Sequence, residues 1–71
     1  MRNELKDNIK KIQDLKKENY KLKQTNNNLT TEAHALYHNN YSEFLKINNK
    51  IIENKDKIKL NAVKIAILKT S

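Results

Sequence analysis

The chain has 71 residues and a formal net charge of +7, with no glycine, proline, cysteine or tryptophan. The missing cysteines exclude disulfides and thiolate metal sites, and a chain this short seldom buries enough apolar surface to fold alone without such staples or an oligomer. Without glycine or proline the commonest helix breakers are gone, so long helix is allowed and a glycine-rich phosphate loop is excluded.

The chain begins Met1-Arg2-Asn3-Glu4-Leu5-Lys6-Asp7, which is too polar for the apolar region of a signal peptide. No apolar run approaches the roughly 18 residues of a membrane span. The expected location is soluble and intracellular, in no particular compartment.

Leu15, Leu22, Leu29 and Leu36 then recur at every seventh position. Such a repeat keeps one narrow apolar stripe on one side of a helix and implies a second helix to bury it. With these leucines at d, Asn8 is also a d position, and Leu5, Ile12, Asn19, Asn26, Ala33 and Asn40 fall at a. Residues 5–36 resemble leucine-zipper coiled coils, a generic motif that implies oligomerisation and names no family. Leucine at d suits parallel dimers, and asparagine at a sets register and strand number at a cost in stability. Asn19 and Asn26 fit that device.

Thr25 to Thr31 is a run of mostly poor helix formers. It offers an alternative reading, a hairpin with its turn near 25–31 and Thr30 or Thr31 capping a helix that starts near Glu32. Leu29, however, stays in phase with the leucines on both sides, and a loop has no reason to keep that phase. The leading expectation is therefore one continuous helix, about 105 Å long at 1.5 Å per residue.

Beyond Leu36 the pattern resumes in a different phase. Phe44, Ile51, Ile58 and Ile65 fall at a, and Ile47, Asn54, Asn61 and Leu68 at d. The displacement of four residues reads as a stutter near 37–44, which unwinds a supercoil locally without ending the helix; the alternative is a helix break, with Thr30 to Asn40 as a connector and two helices folding back. Tyr37, Tyr41 and Phe44 lie across it. The chain thus divides into a leucine-heptad segment, 1–36, and an isoleucine-rich segment in shifted register, 37–71. The β-rich run Val63 to Leu68 has no strand to pair with and is read as helix.

Flanking positions speak to partners. Lys50, Lys57 and Lys64 fall at g, and Lys55 and Lys69 at e. A parallel homodimer would set Lys50 against Lys55 and Lys64 against Lys69, and an antiparallel self-pair would set g against g. A partner with acidic flanks, or more than two helices, avoids this. Leu45, Ile52, Leu60, Val63 and Ile67 form a further apolar surface away from the seam, which points to a bundle or to docking on another protein.

Chemistry-bearing groups are sparse. His34 and His38 have helical metal-site spacing but no glutamate between them and no further ligand. Neither Ser42 nor Ser71 lies in a nucleophile motif. A basic zipper would need a dense Arg/Lys helix before the leucines, whereas Arg2, Lys6, Lys10 and Lys11 are interleaved with Glu4, Asp7 and Asp14. The cationic stretch Lys57 to Lys69 lacks the aromatic anchors of a membrane-surface helix. Neither nucleic acid nor membrane is an expected partner, and the glycosylation triplets at Asn28 and Asn40 matter only for an exported chain.

The sequence therefore predicts an all-α protein: a long coiled-coil helix with a higher-order bundle at its C-terminal half. The expected function is non-catalytic oligomerisation or scaffolding, with itself or an acidic-flanked helical protein as partner. The alternative is a basic module that binds nucleic acid or an anionic surface nonspecifically. No catalytic residue, cofactor or metal is expected. The interface is expected to use Leu5, Ile12, Leu15, Asn19, Leu22, Asn26, Leu29, Ala33 and Leu36, then Phe44, Ile47, Ile51, Ile58, Ile65 and Leu68.

Overall fold

The computed structural model describes the backbone of residues 2–70 and the side-chain surroundings of residues 6–70. It is all-α. Helix α1 spans Arg2–Leu36, helix α2 spans Tyr41–Thr70, and the two pack against each other as an antiparallel hairpin. The molecule measures 56 × 14 × 11 Å. That is about half the length expected of a single rod, so the continuous-helix expectation is corrected: the chain folds back on itself.

The turn is residues 37–40, not 25–31. Two asparagines make it without glycine and without any positive φ among the described residues. At the end of α1 the amides of Asn39 and Asn40 both donate to the carbonyl of Leu36, at 3.1 and 2.8 Å. The Asn39 side chain donates to the Ala35 carbonyl at 3.1 Å, satisfying one acceptor that a helix C-terminus leaves open. Asn40 then caps α2: its Oδ1 accepts the Glu43 amide at 3.2 Å and its carbonyl accepts the Phe44 amide at 3.0 Å. Glu43 adds a negative charge in the first turn, where the helix dipole favours it.

Residues 25–31 remain helical because Asn26 and Leu29 face the seam, where packing against α2 outweighs the run's low helix propensity. Thr30 and Thr31 donate back to the carbonyls of Asn26 and Asn27 at 2.7 and 3.2 Å. Leu29 stays on the seam and Asn26 bonds across it. The four-residue phase shift read as a stutter falls where the chain reverses. Around the reversal, Tyr37 meets Phe44 edge-on at 5.1 Å, and Tyr41 stacks on Phe44 at 5.5 Å. Such pairs favour these offset geometries.

The core is one seam. Ala33 and Ile51 are buried, and Ile12, Leu15, Leu22, Leu29, Leu36, Phe44, Ile47, Ile58, Ile65 and Leu68 are half-buried. Among the described residues no large side chain is fully buried. Two helices cover each other on one stripe only.

Candidate interaction surfaces

Four asparagines set the register of the seam. Asn54 Nδ2 donates to Asn26 Oδ1 at 2.9 Å, while Asn26 Nδ2 donates to the Ile51 carbonyl at 3.3 Å. One heptad away the arrangement repeats: Asn61 Nδ2 donates to Asn19 Oδ1 at 2.9 Å, and Asn19 Nδ2 to the Ile58 carbonyl at 3.3 Å. Asn26, Asn54 and Asn61 are buried, and no described buried side-chain polar atom lacks a partner. In this register Leu36 lies opposite Phe44, Ala33 opposite Ile47, Leu29 opposite Ile51, Leu22 opposite Ile58, Leu15 opposite Ile65 and Ile12 opposite Leu68. From Ile12 to Leu68, each a position of one helix meets a d position of the other.

The structure thus gathers the predicted interface residues from Ile12 to Leu68 along one line, within a single chain. The side chain of Leu5 lies outside the described residues. Asn54 and Asn61, which the heptad pattern places at d but which are not among the expected interface residues, also belong to the seam.

Antiparallel packing also sorts the flanks. In such a pair the e positions of both helices face each other on one side of the seam, and the g positions on the other. On the g side, Glu18 lies across from Lys64 and Glu32 across from Lys50, so α1 supplies acidic flanks to lysines that would repel in a self-pair. Neither closes to ion-pair distance: among the described residues the one ion pair is Lys46 with Glu43, one turn apart on α2, at 3.4 Å.

The e side is different. Lys6, Lys16, Lys23, Lys55, Lys59 and Lys69 occupy its e and b positions. The acids with described side chains, Asp7, Asp14, Glu18, Glu32, Glu43, Glu53 and Asp56, all sit at c, f or g. Lys23, Lys55 and Lys59 line a groove of about 470 Å³ together with Asn26, Asn27 and Ile58. A second groove of about 260 Å³ continues toward the turn past Thr30, His34, Asn48 and Ile51. His34 is near the end of α1 and His38 is in the turn, packed edge-on against Tyr37 at 4.9 Å.

Apolar side chains remain uncovered outside the seam. Ile9, Tyr20, Leu45 and Ile52 are exposed on the lysine side, and Leu60, Val63 and Ile67 on the outer face of α2. Leu60, Val63 and Ile67 recur at helical spacing, so they form one strip. The heptad pattern places Lys55 and Lys69 at e, but the gathering of lysines from both helices on one side without acids depends on which side of the seam each helix presents.

No helix of the described residues is long and apolar enough to cross a membrane. Comparison with protein-family models, curated proteins and solved structures returns no match.

Proposed function

We propose that this hairpin is a non-catalytic protein–protein assembly module, a scaffold element whose outer faces dock other helices. The observation that carries the reading is the mismatch between apolar surface and cover. The seam closes within the chain, yet its leucines are only partly buried, and Leu60, Val63 and Ile67 lie open on the far side of α2. A chain of this size with a single two-helix seam is marginal, and added helices stabilise it by covering what remains. The protein partner is a second copy, an acidic-flanked helix of another protein, or both.

Site-specific photo-cross-linking in the source cells tests this reading. A photoreactive residue at Leu60 or Ile67 should give discrete protein adducts that are identifiable by mass spectrometry, while the same group at Lys17 should give none. Equal adducts at all three positions, or adducts to nucleic acid alone, would sink it. Sedimentation equilibrium of the purified chain then separates a second copy from a different protein.

A further inference from the structure

We propose that the lysine-lined side of the hairpin is the seat of an acidic amphipathic helix, which completes a three-helix bundle. The inference rests on the assembly reading and specifies the partner's chemistry and position.

Charge is the first reason. Lys23 and Lys55 sit at facing e positions and line one groove with Lys59, and no acidic side chain lines that groove. Like charges held together repel unless an anion lies between them. Lys16 and Lys23 are one heptad apart, about 10.5 Å along a helix, and Lys55 and Lys69 are two heptads apart. A partner helix with acids at heptad spacing follows the same repeat.

Shape and polarity are the second reason. The groove runs between two helices, where a third helix packs against both. Its floor contains Asn26 and Ile58, and the same side exposes Ile9, Tyr20, Leu45 and Ile52. A polyanion without an apolar face, such as a nucleic-acid backbone, would meet the lysines and leave these residues in water. An amphipathic helix covers both, with apolar residues toward Ile52 and Ile58 and carboxylates toward Lys23, Lys55 and Lys59. Helices that lay an apolar face into a groove are a recurring mode of recognition.

The test uses the whole chain and a synthetic peptide of about four heptads, with isoleucine at a, leucine at d and glutamate at e and g. Binding is read by fluorescence anisotropy, and its location by amide chemical-shift changes. The glutamate peptide should bind and shift the amides of Lys23, Asn27, Ile52 and Lys55, and a peptide with lysine at e and g should not bind. The double substitution Lys55→Glu with Lys59→Glu should weaken binding by about tenfold or more. Lys50→Glu with Lys57→Glu, on the other side of the seam, should change it by less than about threefold. Circular dichroism of both variants verifies that they fold.

Failure of the glutamate peptide to bind, or binding indifferent to Lys55 and Lys59, would overturn the proposal. Tighter binding of a single-stranded oligothymidylate would overturn it in favour of nucleic acid. Self-association abolished by the Lys55/Lys59 variant would overturn it in favour of a second copy. If the peptide fails while Leu60 still cross-links to protein, the seat is wrong and the assembly reading stands. Loss of both removes the assembly reading as well.

Discussion

Asn26 and Asn54 show what a polar pair does in a thin core. Leucine at both positions would bury more apolar surface, but would not distinguish this register from one slipped by a heptad. The amide pair distinguishes them, because a slip that left either amide unpaired would incur about 1–3 kcal/mol. We therefore expect Asn26→Leu alone to destabilise the hairpin by about that amount, since Asn54 loses its acceptor. Adding Asn54→Leu should restore the loss or more, at the expense of a single register and a single association state. Urea denaturation of the double-mutant cycle, with sedimentation of each variant, measures both effects. A double variant less stable than either single one would contradict the pairing.

Among the elements, the turn is held by the cap at its exit. Asn40 and Glu43 stand at the spacing of a helix N-terminal capping signature, directly before the apolar Phe44. That spacing competes with a second interpretation of the same residues, in which Asn40 is a polar a position of a continuous seam. Removing the cap by Asn40→Ala should lower stability by about 1 kcal/mol, or about 4–8 °C in melting temperature for a domain of this size. Calorimetry or a circular-dichroism melt checks this. The equivalent change at Thr30, whose hydroxyl bonds only to its own helix at Asn26, should be close to neutral or slightly stabilising. Were Thr30→Ala the more damaging of the two, the capping assignment to Asn40 would be wrong.

For the molecule as a whole, folding back halves the length and separates the charges. A radius of gyration near 16.3 Å follows from the hairpin, whereas a uniform rod of about 105 Å would give about 30 Å. Small-angle scattering at low concentration should return the smaller value, and the larger one would restore the continuous helix. The segregation also bears on solution behaviour. Lysines occupy both sides of the seam but acids are absent from the e and b positions, so repulsion there is unrelieved and moderate salt should raise the melting temperature of the free chain by screening it. A melting temperature that fell with added salt would mean that attraction across the seam, such as Glu18 toward Lys64, outweighs repulsion on the e side.

Helix content, the two seven-residue stripes and their change of phase after Leu36 were all legible in the residues, because periodicity is a local property of the chain. The four-residue shift was visible too, but a stutter and a reversal both produce it. Leu29's phase correctly kept residues 25–31 helical. Only the Asn40–Glu43 capping spacing marks the reversal at residues 37–40, and it does not decide alone, since asparagine and tyrosine are tolerated in helix and no glycine flags the turn. The pairing of Asn19 with Asn61 and of Asn26 with Asn54 was out of reach without the direction of packing.

By itself, then, the sequence determined an all-α chain with two apolar stripes and a surplus of lysine. Only the tertiary structure decided that these stripes bury each other, and that antiparallel packing places Lys23, Lys55 and Lys59 together while turning the acids away. The physical reason is that a stripe records which residues share a face, whereas the partner and direction of that face depend on contacts between residues far apart in the chain.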